Sequence, residues 1–287
     1  LISELESKKD INSERIKRLL ALPDLTKKSF GTAQDGGISP IKILVDQVIN
    51  LPRFADFDVI DFPRIVTVEE NFDVLNTQKE HPSRRQTDTY YLDDSHVLRT
   101  HTTVMWPYYL RYTGIKEKLE KEGHVALLSR GIVFRKDEID RKHFPAFHQI
   151  DGLFICKKSE KVITLDDLKE VEAEMTKAIF GDNIEYKFLV DSFPFTDPSV
   201  QIEMKFNGGW LEVVGSGLVH QQVLKNLGLD PEKYNGWAFG FGIERLSMVK
   251  MGISDIRVFW SNDQRITSQF KDINSKYKEV SKYPEIS

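Results

Sequence analysis

One cysteine in 287 residues leaves this chain without a disulfide framework and without a thiolate zinc site. That residue, Cys156, closes an apolar run, where a small buried side chain is expected and not a nucleophile. No apolar stretch approaches the roughly 18 residues of a membrane span, so a helical membrane protein is not expected. The opening LISELESKKDINSERIKRLL is too charged to hold the apolar centre of a signal peptide, and a cytoplasmic or organellar-matrix location is the expectation. Positive charge is not in excess either: 40 Lys and Arg against 44 Asp and Glu give a net charge of −4. The whole-chain field therefore does not attract nucleic acid, and any RNA contact must be local, with Arg84, Arg85 and the cluster Arg135, Lys136, Arg141, Lys142 as candidates. Internal repeats, low-complexity tracts and regular βαβ alternation are also missing, which disfavours a Rossmann domain.

What is present is a globular composition, 40% apolar with 18 Phe and 9 Tyr, enough for one large core or two modest ones. Residues 1–39 read as a polar helical segment ending in the linker GTAQDGGISP. The core domain is expected over 40–272, and the polar segment 273–287 reads as a connector leading out of it. PIKILVDQVINL carries Ile41, Leu44, Val45, Val48 and Leu51 on one face of a helix. FDVIDFPRIVTVEENFDVLN alternates like a strand and is broken by Pro63. Further strands are expected at 90–92, 97–100, 131–135, 147–156, 186–191, 201–206 and 210–214. A helix is expected at 165–180, with Thr164 as cap, Asp167 completing a capping box and Gly181 at its end. Strands joined by hairpins and long insertions predict an α+β fold, an antiparallel sheet flanked by helices.

Four segments carry candidate chemistry. In GWAFGFGIERLSMVKMG, at 236–252, strand alternation puts Ala238, Gly240 and Gly242 on one nearly bare stripe and Trp237, Phe239 and Phe241 on the other; the helix that follows holds Arg245 in its first turn, within reach of phosphate oxygens. In GIVFRKDEIDRKHFPAFHQIDGLFIC, at 131–156, two apolar strands flank a charged loop. Arg135, Phe147, Gln149 and Asp151 converge on one surface there, with Phe147 offering a face to a base and His143 a phosphate contact. In SFPFTDPSVQIEMKFNGGWLEVVGSGLVH, at 192–220, Phe193 and Phe195 share a face that suits an aromatic substrate. Asp197, Glu203 and Glu212 are strand carboxylates for which Mg²⁺ with a nucleotide is one partner. In HPSRRQTDTYYLDDSHVLRTHTTVMW, at 81–106, His101, Thr102 and Thr103 offer donors to an amino group, a carboxylate or a ribose.

In this order the segments resemble the catalytic domain of phenylalanyl-tRNA synthetase, a class II aminoacyl-tRNA synthetase, over about residues 40 to 275. FRKDEID…HFPAFHQIDG is similar to that family's motif 2, GWAFGFGIERL to its motif 3 and FPFTDPS to its phenylalanine-pocket signature; FDVIDFPRI stands where motif 1 lies. The tail SKYPEIS is similar to the junction at which the single-chain type continues into an anticodon-binding domain.

The resemblance implies phenylalanine–tRNA ligase activity with ATP, Mg²⁺, L-phenylalanine and tRNA(Phe). It also implies either a chain that works alone or one that pairs with a larger beta subunit. By it, Arg135 holds the α-phosphate and Arg245 the γ-phosphate, Phe147 stacks on adenine and Asp137 lies near its amino group. Gln149 and Asp151 take the substrate ammonium, while His101 and Thr103 contact substrate or adenylate. Trp106 stands where a polar Gln is common, Asp197 matches a Mg²⁺ ligand, and Glu212 and Phe239 match substrate contacts. Ala238 sits where the para edge of the substrate ring points. Two rival readings remain open at this level: a synthetase-like ligase with an acceptor other than tRNA, and a non-catalytic RNA-binding paralogue. The second should have lost Arg135 or Arg245.

Overall fold

A computed structural model describes residues 14–27, 29–30, 37–61, 63–206 and 208–260. The expected connector at 273–287 and the end of the core domain at 272 lie outside the described residues, as does most of the GTAQDGG linker. The helices are α1 (Glu14–Leu20), α2 (Pro40–Ile49), α3 (Met105–Arg111), α4 (Ile115–Glu122), α5 (Leu165–Phe180), α6 (Gln221–Asn226) and α7 (Ile243–Met251). The short strands are β1 (Ser29–Phe30), β2 (Gly37–Ile38), β3 (Asp58–Ile60), β4 (Ile65–Thr67) and β5 (His96–Leu98). The long ones are β6 (His124–Phe134), β7 (Ala146–Lys157), β8 (Tyr186–Phe193), β9 (Thr196–Phe206), β10 (Gly209–Val219) and β11 (Tyr234–Gly242).

Seven strands form one sheet in the order β3-β6-β7-β11-β10-β9-β8, antiparallel throughout except where β3 runs parallel to β6. The α+β expectation holds. Helices α2, α5 and α7 cover one face: Ile41, Leu44, Val45 and Val48 of α2 share a core with Leu168, Val171 and Met175 of α5, Leu246 of α7, and Trp237, Phe239 and Phe241 of β11. The face of β11 that reads as aromatic in the sequence is thus the buried one, and the opposite stripe is left for the cleft. Thr164 and Asp167 form the capping box at the start of α5, and Gly181 ends it.

Three segments depart from the sequence reading. Residues 90–92 form no strand, only an isolated bridge from Tyr91 to Val97. Pro63 does more than break a strand: β3 before it joins the edge of the large sheet, while β4 after it pairs with β5 in a separate ribbon. Alternation then gives way to a π-helical turn at Glu69–Asp73. Residues 14–27, placed with a polar appendage by their composition, pack into the body of the protein. Ile16 and Leu19 contact the cluster of Leu98, Ile132, Phe134 and Ala146, and Leu25 enters the main core. Arg64 donates to the Leu20 and Leu22 carbonyls at 2.8 and 2.9 Å, which ties this segment down. Packing therefore begins well before residue 40.

Candidate active site

The centre of the sheet is nearly bare on one face because β10 and β11 align small residues there. Gly240 of β11 sits opposite Gly215 of β10 and Asp151 of β7, and Ala238 sits opposite Gly217 and Leu153. A Cβ at Gly215 would stand 2.7 Å from the Phe193 ring, and one at Gly240 would stand 2.8 Å from Asp151 Oδ1, so both positions need glycine for space. A cleft of about 510 Å³ opens above this floor. Its walls bring together His101, Thr103, Trp106, Arg135, Asp137, His143, Phe147, Gln149, Asp151, Phe193, Phe195, Glu212, Ala238, Phe239, Gly240, Gly242 and Arg245. Cys156 is buried away from it, as a structural residue.

One end is aromatic. Phe193 and Phe195 flank the turn between β8 and β9 and lie parallel, 6.1 Å apart at 6°. Trp106 meets Phe195 edge-on at 6.1 Å, and His101 lies 5.9 Å from the same ring. The Trp106 indole N–H and the His101 Nδ1 are buried without hydrogen-bond partners. Burial, with Arg135 acting in the same direction, lowers the His101 pKa to about 3, so its imidazole is neutral at physiological pH.

In the middle lies a carboxylate. Asp151 is 3% exposed and accepts from the hydroxyls of Thr102 and Thr103, the latter at 2.8 Å. Gln149 accepts the Thr102 N–H at 3.3 Å. Thr102 and Thr103 stand on a single 3-10 turn, Thr102–Val104, which aims both hydroxyls at β7. Burial pushes Asp151 up to about 6, against the two hydroxyls and Arg135. No cation pairs with it at salt-bridge distance among the described residues.

The other end is cationic. Arg135 stands one residue beyond β6 with its guanidinium 5.1 Å over the Phe147 ring and its Nε donating to the Thr100 carbonyl at 3.2 Å. Its charge is destabilised first by the loss of water and also by Arg245, against Asp137, Asp151 and Glu212. Arg245 follows from the first turn of α7. Neither guanidinium forms an ion pair with a carboxylate among the described residues. Two guanidiniums without a contact ion pair in one cleft suit a polyanion.

His143 lines the cleft from the loop, where its Nδ1 lies 3.0 Å from Asp140. Glu212 faces the cleft, whereas its cross-strand neighbour Glu203 is held by Lys187 at 3.0 Å. Asp197 does not line the cleft with the others: it is exposed and lines an adjoining depression with His220, which shares His81, Phe193 and Thr196 with the cleft. No cluster of three or more His, Cys, Asp or Glu suited to a metal occurs among the described residues. That donor set does not suit an all-protein cage. It does suit Mg²⁺ carried in on nucleotide phosphates, with Glu212 as the carboxylate at hand.

Sequence reasoning missed one pair, His148 behind the cleft and Glu244 at its wall. Both are buried, and Glu244 immediately precedes Arg245. The signal available was a carboxylate, Glu244, beside Ile243 and Leu246, which face the core.

Comparison with known proteins agrees with this geometry. A family model described as the tRNA synthetases class II core domain (F) matches residues 26–270. The phenylalanine–tRNA ligase alpha subunit of Neisseria meningitidis serogroup A is 39% identical over 263 residues, 91% of this chain and 76% of that one. The alpha subunit of Fusobacterium nucleatum is 39% identical over 282 residues, covering 94% and 77%. Among solved structures, pyrrolysyl-tRNA synthetase from Desulfitobacterium hafniense superposes with a TM-score of 0.59 at 16% identity, over 77% of this chain and 73% of that one, which is a likeness of fold. The match begins at residue 26, inside the segment that packs into the core and ahead of the expected boundary at 40. The chain belongs to the class II aminoacyl-tRNA synthetases and, within them, to the family of phenylalanine–tRNA ligase alpha subunits.

Proposed function

We propose that this chain activates L-phenylalanine with ATP and passes the phenylalanyl group to the terminal ribose of tRNA(Phe). The observation that carries the reading is charge: an unpaired buried carboxylate and two unpaired guanidiniums lie in one cleft, with an aromatic slot at its far end. A zwitterionic aromatic amino acid and a polyphosphate supply the missing partners.

The ammonium docks on Asp151 and Gln149, and the ring enters between Ala238, Phe193, Phe195 and Trp106. The substrate carboxylate then faces the α-phosphorus of ATP, whose base lies by Phe147 and Asp137 and whose phosphates are held by Arg135, His143 and Arg245. Its oxygen attacks in line, pyrophosphate leaves, and no side chain becomes covalently attached. The protein's part is alignment on rigid strands and positive charge for the developing pentavalent phosphorus. Mg²⁺ bound to the phosphates would add charge neutralisation; Asp197 lies outside that cleft, so Glu212 is the proposed carboxylate for it. A terminal ribose hydroxyl of tRNA then attacks the acyl carbon, the acyl–phosphate bond breaks, AMP leaves and the hydroxyl proton is released.

The decisive experiment is phenylalanine-dependent exchange of pyrophosphate into ATP, followed by charging of tRNA(Phe), with the beta subunit added. The alpha-subunit relatives favour that two-chain arrangement over the single-chain one, and favour tRNA over another acceptor. Both arginines are present and converge, which argues against a non-catalytic paralogue. Exchange without tRNA charging, in the presence of the beta subunit, would return the reading to an acceptor other than tRNA.

Two outcomes are expected at the amino-acid end. Because burial pushes the Asp151 pKa up to about 6, kcat/KM for phenylalanine in the exchange reaction should fall as pH drops below about 6, while the KM for ATP changes little. Ala238→Gly removes a methyl from the floor and should admit para-halogenated phenylalanine. No gain of exchange with that analogue refutes the ring placement. In the parent, an apolar pocket rejects tyrosine by only about a hundredfold.

A further inference from the structure

His148 stands between Phe147 and Gln149 on β7, and alternation sends its side chain to the face of the sheet opposite the cleft. There it is fully buried. Its Nε2 accepts the Leu25 backbone N–H at 2.9 Å, which assigns the ring proton to Nδ1, and Nδ1 donates to Glu244 Oε1 at 2.7 Å. The backbone N–H of His148 also donates to Glu244, 3.0 Å from Oε1 and 2.9 Å from Oε2. Asp24 Oδ1 is 3.7 Å from Nε2, beyond hydrogen-bond distance. Trp260 lies flat against the imidazole at 5.1 Å, with Phe144 stacked on Trp260 at 5.2 Å.

A buried carboxylate that takes a ring donor and a backbone donor from one residue joins two elements at a point. Glu244 is the second residue of α7, Arg245 the third, and no side chain caps the helix at Gly242. His148 follows Phe147, over which Arg135 lies. The join therefore spans the two halves of the phosphate end, with His148 on the far face of the sheet and Glu244 at the cleft wall.

We infer that Glu244 and His148 are positioning residues for the reaction: they hold the first turn of α7 against β7, so that Arg245 and Arg135 meet the same phosphates. Leu25 is the third member, since its N–H fixes the imidazole tautomer. Residues 24–26 thereby belong to the ATP site while lining none of it. This deepens the reading that the cleft binds ATP.

The test uses the full chain with its beta subunit, with folding checked by circular dichroism, and titrates ATP alone as well as measuring exchange. Glu244→Gln leaves an oxygen acceptor but turns an NH₂ toward donors. It should weaken ATP binding about tenfold or more and change the KM for phenylalanine less than about twofold. His148→Asn keeps the donor toward Glu244 and loses the acceptor for Leu25; it should weaken ATP binding by about three- to fivefold with the same split. If Glu244→Gln fails to fold, His148→Asn decides by that split. Equal weakening of both substrates, or unchanged ATP affinity in folded variants, overturns the inference. Parent protein that binds ATP but shows no phenylalanine-dependent exchange removes the proposed activity and leaves this inference to be decided by the ATP titrations.

Discussion

Replacing Arg245 with Ala is expected to cut phenylalanine-dependent pyrophosphate exchange about a thousandfold, on the order of 4 kcal/mol of transition-state stabilisation. The reason is that Arg245 has no structural partner to lose. It is half-buried on the first turn of α7 and forms no ion pair among the described residues, so its removal relieves repulsion with Arg135 and leaves the fold intact. Thermal unfolding should stay within a few degrees of the parent. The split between lost chemistry and retained stability is the signature of a group held for a ligand. Arg245→Lys should recover only part of the loss, because a point charge cannot replace a planar fork. A variant with unchanged exchange would remove Arg245 from the phosphate site.

The second large effect concerns stability and the opposite face of the sheet. Glu172 on α5 is fully buried in the apolar layer, and neither of its oxygens has a hydrogen-bond partner at normal geometry. Burial raises its pKa from 4.5 to about 8, against weaker opposition from Ser216 and Lys169. The folded protein therefore keeps a proton that the unfolded chain releases above pH 4.5. Its stabilising contribution is complete below that value and drains away as pH rises toward 8. Between pH 4.5 and 7 the loss is on the order of 3 kcal/mol. Glu172→Gln should flatten this slope, read as the difference between parent and variant in urea unfolding at pH 5 and pH 7.5. Parallel profiles would show that Glu172 is solvated or paired.

Much of this architecture is legible in residue order. Alternation in 236–242 separates the core-facing rings of Trp237, Phe239 and Phe241 from the bare stripe of Ala238, Gly240 and Gly242, and the sheet uses the two sides that way. The strand assignment of Arg135, Phe147, Gln149 and Asp151 likewise brings them to one cleft, because a hairpin with an eleven-pair register leaves little freedom in where its faces point. What resists reading is long-range. The apolar residues of 14–27 are too few to announce a partner, and only tertiary contact reveals that Leu25 enters the core. Pro63 signals a break but not that the two halves join different sheets. Asp197 stands two residues beyond Phe195, yet the turn carries it out of the cleft. His148 and Glu244 are 96 residues apart, and no local pattern couples them.

The floor of the cleft consists of backbone locked into a ladder with a neighbour on either side. Such a surface cannot be remodelled by lengthening or shortening a segment, since a one-residue slip would turn every side chain to the wrong face. Amino-acid choice in this scaffold is therefore written in single-residue exchanges. The 135–145 loop, which carries His143, lies outside that ladder and can change by insertion while Arg245 stays on α7, so the parts of the pocket can evolve by different routes.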